Sequence, residues 1–92
     1  MRILVTPTFE RAAKKLHRLQ KVDLDAAVKV VAADAGIGEE KVGDLVGIRV
    51  YKFRMTNQLC PLSYRILDAD SIKLLTVGSH ENFYRELKRQ EH

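Results

Sequence analysis

The first third of the chain contains two stretches with apolar residues at helical spacing. In the first stretch they recur every three or four residues, as on one face of a helix: Phe9, Ala12, Ala13, Leu16 and Leu19. Thr6 and Pro7 suit the cap and the first position of this helix. We expect a break at Val22-Asp23, with Asp23 capping a second helix that Gly36 ends.

The second predicted helix has apolar residues on two sides. The stronger stripe predicts the side packed on the core: Leu24, Ala27, Val28, Val31 and Ala35. A weaker stripe, formed by Ala26, Val30 and Ala33, lies on the other side. A globular helix usually buries one face, so the weaker stripe predicts a surface that a partner covers.

The hydrophobic period changes after a glycine-containing loop at residues 36–44. Three stretches rich in β-branched and aromatic residues predict strands: Ile48–Met55, Leu59–Leu67 and Ser71–Val77. The turns between them are short, so these strands should form an antiparallel meander. A short strand at Ile3–Val5 precedes the helices, and a last helix is expected from His80 to about Arg89, capped by Ser79.

This order of elements, strand, helix, helix, strand, strand, strand, helix, predicts an α+β fold. The sheet should be small and mostly antiparallel, with the helical pair packed on one face and the other face partly open. The chain has 92 residues, of which 46% are hydrophobic and 30% charged. That composition predicts a single folded domain over residues 1–92, not a disordered chain.

Alternation within the meander indicates which residues line each face. In the first strand Tyr51, Phe53 and Met55 share one side, and Val50, Lys52 and Arg54 share the other. The aromatic side should face the helices, so that Lys52 and Arg54 project from the open face. The same rule places Leu62, Tyr64 and Ile66 inward and Pro61, Ser63 and Arg65 outward. Arg49 has the inward parity, so we expect it at the strand edge or near a bulge.

The charge distribution suggests a partner for the open face. The net charge is only +4, but residues 45–67 contain no acid and four bases: Arg49, Lys52, Arg54 and Arg65. An acid-free basic strip attracts phosphate. A solvated strand face explains the same charges equally well.

Few residues suggest chemistry, and they suggest neither a metal nor a cofactor. No histidine or cysteine pair has the spacing of metal ligands, and no glycine-rich phosphate loop is present. The single cysteine, Cys60, excludes an internal disulfide and is interpreted as a packing residue. With no run of 18 apolar residues and no signal peptide, the chain is expected in the cytoplasm and not in a membrane.

His80 is the candidate acid–base residue. It lies in the first turn of the predicted last helix, where backbone N–H groups favour an anion, and Tyr84 follows one turn later on the same face. A histidine, an aromatic ring and a basic pair together suit cleavage of a phosphodiester. The alternative, favoured by spacing alone, is that His80 only helps to cap the helix while Tyr84 or Phe83 packs into the core.

Two stretches of the chain, Gly43 to Arg54 and Thr76 to Tyr84, resemble the RelE/ParE superfamily of bacterial type II toxins. The order of elements resembles it as well. The second stretch is similar to the Gly-Thr-His-x-x-x-Phe ending of YafQ-like toxins. This superfamily includes ribosome-dependent mRNA nucleases and gyrase poisons, and the Gly-Ser-His ending favours the nuclease branch.

For the nuclease branch the resemblance implies metal-independent cleavage by a ribose 2′-hydroxyl. Lys52 and Arg54 match the basic residues of the first meander strand, His80 the acid–base residue, and Tyr84 the aromatic residue that stacks on a base. RelE-like members have an arginine where this chain has Pro61. Arg65, four residues further on with the same parity, is the candidate replacement. The alternative is that the transition state has less charge support in this chain.

The resemblance also implies the partners. A cognate antitoxin would wrap the chain and hold it inactive in a hetero-oligomer. The weaker stripe of the second helix and a basic face on the first are where we expect that antitoxin: Arg11, Lys14, Lys15 and Arg18. The target would be the ribosome and its mRNA. The alternative is DNA gyrase, inhibited by protein binding without catalysis. A third possibility is an inactive or purely regulatory binding module.

Overall fold

The computed structural model of the protein describes residues 1–78, apart from the side chain of Asp44. The helices are α1 (Pro7–Lys14) and α2 (Arg18–Ala33). The strands, in chain order, are β1 (Arg2–Val5), β2 (Glu39–Glu40), β3 (Arg49–Met55), β4 (Gln58–Asp68) and β5 (Ser71–Val77), with a short 3₁₀ helix at Gly43–Leu45. The predicted last helix and its cap, from Ser79 to Arg89, lie outside the described residues.

The five strands form one sheet in the order β1-β5-β4-β3-β2. β1 pairs parallel with β5, and the other pairs are antiparallel. The predicted α+β architecture and meander are therefore confirmed. The sequence pattern missed β2, whose two residues pair with Val50 and Arg49 at the sheet edge, because two residues are too few to show an alternation.

Thr6 caps α1, as its position before Pro7 predicted, and it also joins the start of the helix to the sheet. Its hydroxyl accepts a hydrogen bond from the Phe9 N–H at 3.0 Å and donates one to the Leu75 carbonyl at 2.6 Å. The Thr6 side chain is buried, so both bonds form away from solvent. This cap therefore fixes the orientation of α1 over β5 as well as its first residue.

The predicted break between the helices at Val22-Asp23 is wrong, because the chain breaks at residues 15–17. The N–H groups of Lys15 and Leu16 bond back to the Ala12 and Ala13 carbonyls, which closes α1 with short turns. The His17 N–H then donates to Oε1 of Gln20 at 2.9 Å, which satisfies an otherwise free donor at the start of α2.

Asp23 and Leu19 consequently have other roles than predicted. Asp23 lies inside α2, and its carboxylate accepts a hydrogen bond from the Thr56 N–H at 3.0 Å, at the β3–β4 turn. Leu19 belongs to α2 and is 68% exposed, so it does not contribute to the core. A carboxylate that binds a distant turn and one that caps a helix are indistinguishable in the sequence.

The main core lies between the helices and one face of the sheet. Its buried residues are Phe9, Leu24, Ala27, Val31, Phe53, Met55, Cys60, Leu62, Tyr64, Ile72, Leu74 and Val77. The inward positions of Leu62 and Tyr64 are confirmed, but Ile66 is 42% exposed, beside a register shift between β4 and β5. A smaller second cluster contains Leu45, Ile48, Val50 and Leu75.

Arg49 begins β3, as its parity required, and it holds the loop that follows α2. Its Nη1 donates to the Gly36 carbonyl at 3.3 Å and to the Gly38 carbonyl at 2.8 Å. Its Nη2 lies 3.7 Å from a carboxylate oxygen of Glu40. The arginine therefore satisfies loop carbonyls that regular secondary structure leaves without partners.

The Tyr64 hydroxyl holds the same loop from the side of the main core. It donates to the Ala35 carbonyl at 2.7 Å and accepts from the Gly38 N–H at 2.9 Å. A Cβ atom at Gly38 would lie 2.6 Å from this hydroxyl oxygen, so the contact requires glycine. Burial raises the pKa of Tyr64, and the Gly38 N–H opposes part of that shift.

Candidate nucleic-acid interface

β3 presents Lys52 and Arg54 on the sheet face opposite the helices. Phe53, between them, is 7% exposed and belongs to the main core, whereas both basic side chains are exposed. Residues two apart on a strand are about 6–7 Å apart along it. Both cations can therefore reach one anionic group, or two neighbouring ones.

The β4 register partners of this basic pair are uncharged. The register partners on β4 are Pro61 for Lys52 and Leu59 for Arg54. Within residues 1–78, no carboxylate forms an ion pair with either cation. Neither positive charge is thus held in an ion pair by the described part of the chain.

Pro61 is compatible with its central strand because the β4–β5 pairing ends beside it. Leu62 and Val77 form the last pair of that ladder, and the Pro61 carbonyl accepts a long hydrogen bond of 3.4 Å from the Gly78 N–H. In an antiparallel pair the N–H and C=O of one residue point to the same neighbour. An N–H group at position 61 would thus have pointed past the end of β5. Its absence in proline therefore removes no hydrogen bond to β3.

The structure does not bring Arg65 to the basic pair. Arg65 lies four residues beyond Pro61 on β4, about 13 Å along the strand, and it is half-buried. Val50 and Ser63, both buried, form the register pair between the two positions. The outward parity of Pro61 and Ser63 therefore does not expose them to solvent.

Arg65 has two close neighbours, Lys73 and Gly47, that were not identified as candidate site residues from the sequence. Lys73 is its register partner on β5. A Cβ atom on Gly47 would lie 2.5 Å from Nη1 of Arg65, so the loop passes directly beside the guanidinium group. Pairing the strands outward from the turn at residues 69–70 would have placed Leu74 opposite Arg65, and it is the register shift between Ile66 and Asp68 that brings Lys73 there.

Ser63 and Thr76 connect β4 to β5 between the basic pair, Lys52 and Arg54, and the position of Arg65. The Ser63 hydroxyl accepts from the Thr76 N–H at 3.2 Å and donates to the Thr76 carbonyl at 3.3 Å. Both residues are buried. These side-chain bonds replace the regular ladder where the register shifts, so the face keeps its shape at an irregular point.

Of the remaining candidate residues, Cys60 is among those that the structure describes. His80 and Tyr84 lie outside the described residues. Cys60 is buried in the main core, and burial raises the pKa of its thiol, which favours the less reactive protonated form. In residues 1–78, no cluster of three or more histidine, cysteine, aspartate or glutamate side chains is arranged to hold a metal ion.

Neither α1 nor α2, the helices of the described residues, is long and apolar enough to cross a membrane.

Solved structures of RelE toxins share this architecture. The free state of a mutant Escherichia coli RelE is 16% identical, with a TM-score of 0.75 over 97% of this chain and 95% of that one. The intact Escherichia coli RelBE toxin–antitoxin complex gives 17% identity and a TM-score of 0.69, over 87% and 96%. A RelBE complex from Mycobacterium tuberculosis gives 22% and 0.60, over 86% and 96%. At these identities the likeness establishes a RelE-like fold.

The family follows from the sequence. Residues 3–88 match the family described as the ParE-like toxin of type II bacterial toxin–antitoxin systems. No curated protein sequence matches the chain. The chain therefore belongs to the ParE-like toxins, within the RelE/ParE superfamily that its sequence resembles. It is a toxin of a type II toxin–antitoxin system.

Proposed function

We propose that this toxin is an endoribonuclease that cleaves mRNA on the ribosome and so inhibits translation. The observation that carries the proposal is the exposed pair Lys52 and Arg54, which has no acidic partner within residues 1–78. Two unneutralised cations about 6–7 Å apart suit adjacent oxygens of a phosphodiester backbone. The resemblance of the Gly78-Ser79-His80 ending to that of YafQ-like toxins supports the same activity.

In the proposed reaction the ribose 2′-oxygen attacks the scissile phosphorus and loses its proton. The bond from phosphorus to the 5′-oxygen breaks, and that oxygen gains a proton. His80 transfers a proton at one of these oxygens, while Lys52 and Arg54 hold the non-bridging oxygens as their charge increases. Tyr84 stacks on a base next to the scissile bond. The products carry a 2′,3′-cyclic phosphate and a 5′-hydroxyl.

Arg65 has a different role in this proposal. Because it lies about 13 Å from Pro61 along β4, it does not replace the arginine that RelE-like members have at that position. We assign Arg65 to a phosphate further along the RNA, beside Lys73. Its removal should weaken RNA binding more than it slows the chemical step.

The proposed partner that controls this activity is a cognate antitoxin. RelE toxins were solved with RelB antitoxins from Escherichia coli and Pyrococcus horikoshii. A cavity of about 370 Å³ between α1, α2 and β5 has apolar walls that include Phe9, Leu24 and Leu74. Its charged lining residues are Lys14, Lys21 and Asp25, two bases against one acid. An apolar antitoxin segment with acidic neighbours fits this chemistry. Purification from the native operon should yield a hetero-oligomer, and a free monomeric toxin would argue against it.

A ParE-like gyrase inhibitor is the second candidate, and the family match favours it, because the matched family is described as ParE-like. Such a toxin acts by binding a protein and needs no proton transfer by His80. The two candidates therefore differ in the expected effect of a single substitution.

The deciding experiment is His80→Ala in a ribosome-dependent cleavage assay on a defined mRNA, with His92→Ala as the matched control. Loss of proton transfer should lower the cleavage rate about 10²–10⁴-fold. The ends of the wild-type product should be a cyclic or 3′-phosphate. A folded His80→Ala protein that still arrests growth fully would favour gyrase, and a 3′-hydroxyl product would exclude attack by the 2′-oxygen.

A further inference from the structure

The outer side of α2 carries an apolar stripe that the described residues leave in solvent. Leu19 is 68% exposed, Val22 60% and Val30 37%, and Ala26 and Ala33 are exposed between and beyond them. At about 100° per residue, all five lie within about 80° of the helix circumference. Their spacing of three and four residues is typical of a helix–helix seam.

From this stripe we infer a homodimer in which α2 packs antiparallel against α2 of a second copy of the chain, about a twofold axis at Ala26. The inference goes beyond the proposed nuclease activity and does not depend on it. It places a second copy of the chain on the stripe, instead of the antitoxin that the sequence pattern led us to expect there. Three properties of the stripe support a second copy as the occupant: side-chain size, charge and length.

The sizes of the side chains are self-complementary in this arrangement. An axis at Ala26 places Leu19 opposite the alanine that ends the partner's stripe, and Val22 opposite the partner's valine. Alanine meets alanine at the centre, which lets the two backbones approach closely. Large residues thus face small ones at both ends, as close packing of helices requires.

The charges along one edge of the stripe select the antiparallel orientation. Asp25 and Lys29 follow that edge, and neither forms an ion pair within residues 1–78. In an antiparallel pair the same edges of both helices meet, so each Asp25 lies beside the partner's lysine, twice by symmetry.

A parallel pair would instead bring this edge against the other one. The acids there are Asp23 and Asp34, and both already accept hydrogen bonds, from the N–H groups of Thr56 and Gly36. The free charges therefore favour the antiparallel arrangement.

The length of the stripe determines how strong the contact is. From Leu19 to Ala33 the helix rises about 21 Å. One helix pair of that length buries less than the roughly 800 Å² per partner of a standard interface. The dimer should therefore form at micromolar concentrations and dissociate on dilution.

Sedimentation equilibrium of the full chain over a concentration series tests the proposal. Wild type should show a monomer–dimer equilibrium. Ala26→Glu places two carboxylates together at the twofold axis and should weaken the dimer about tenfold or more. Val42→Glu, at a residue that is 85% exposed and outside the stripe, is the matched control and should dimerise as wild type does. Circular dichroism establishes that the variants fold.

Two further comparisons determine the orientation. Asp25→Lys or Lys29→Asp alone should weaken the dimer, and the double variant should restore it. Ala26→Cys should form an intermolecular disulfide, whereas the Cα atoms of an Ala33→Cys pair would be about 21 Å apart along the axis, beyond disulfide reach. A monomer at every concentration, a dimer unaffected by Ala26→Glu, or equal cross-linking of the two cysteine variants would overturn the inference.

Discussion

The two faces of the sheet differ most clearly along β3, where neighbouring residues belong to different surfaces. Phe53 is buried in the main core, whereas Lys52 and Arg54 are exposed and lack acidic partners within residues 1–78. Alternation along this one strand is therefore enough to bury an apolar side chain on one face and to expose charged side chains on the other. Substitution of Phe53 should therefore change the free energy of unfolding, and substitution of Lys52 and Arg54 should change binding and cleavage.

The largest expected effect is on the helix face. Phe53→Ala removes a buried aromatic ring and leaves a cavity, which typically costs about 3–5 kcal/mol of unfolding free energy. Since small domains are stable by only about 5–15 kcal/mol, much of the stability should be lost. Urea denaturation measures this loss of unfolding free energy. The adjacent control, Arg54→Ala, should stay within about 0.5 kcal/mol of wild type, and similar values for both variants would contradict the separation of the faces.

The second expected effect is on the opposite face and concerns activity. Charge-assisted contacts are each worth about 1.5–3 kcal/mol, so Lys52→Ala/Arg54→Ala should lower mRNA cleavage at least about a hundredfold, with unfolding unchanged. Lys14→Ala/Lys15→Ala removes the same charge from the end of α1 and is the matched control for loss of net charge. Undiminished cleavage by the first variant would mean that the active face is elsewhere.

A third effect tests the loop that the helix face supports. Tyr64→Phe removes the hydroxyl that joins the Ala35 carbonyl to the Gly38 N–H, and Gly38 is buried. A buried donor left without a partner costs about 1–3 kcal/mol, so the unfolding free energy should fall by that amount. Cleavage should hardly change at temperatures where the variant is folded. A loss of cleavage without a loss of stability would contradict the assignment of Tyr64 to structure.

Local rules predicted much of this fold because the signals lie within a few residues. Thr6 before Pro7 identified the start of α1, and β5 has the bounds Ser71–Val77 that its composition predicted. The parity of β3 placed Lys52 and Arg54 on the exposed face. Each of these conclusions needs only the geometry of one element.

Features that depend on distant partners were not predictable in the same way. Asp23 binds the Thr56 N–H of another element instead of capping a helix. The break between the helices, by contrast, has a local signal that the sequence analysis overlooked, because the Gln20 side chain reaches the His17 N–H only three residues away. At the site, the approach of Gly47 to Arg65 joins a loop to β4, which no spacing rule describes. The roles of His80 and Tyr84 come from resemblance and stay predictions, since both lie outside the described residues.

The smallest expected effect is a dependence of stability on alkaline pH, and it also arises on the helix face. Burial raises the pKa of Tyr64 above its ordinary value of 10.0. The unfolded chain therefore loses this proton first, and the stabilisation present below about pH 10 decreases as the pH rises further. Burial also raises the pKa of Cys60, from 9.0, which acts in the same direction.

The test is thus the difference in unfolding free energy between wild type and Tyr64→Phe, measured by urea denaturation between about pH 8 and 11. That difference should shrink above pH 10, whereas Tyr51→Phe, which keeps the Tyr64 hydroxyl, should follow wild type. A constant difference would mean that the Tyr64 hydroxyl ionises equally well in the folded and unfolded protein.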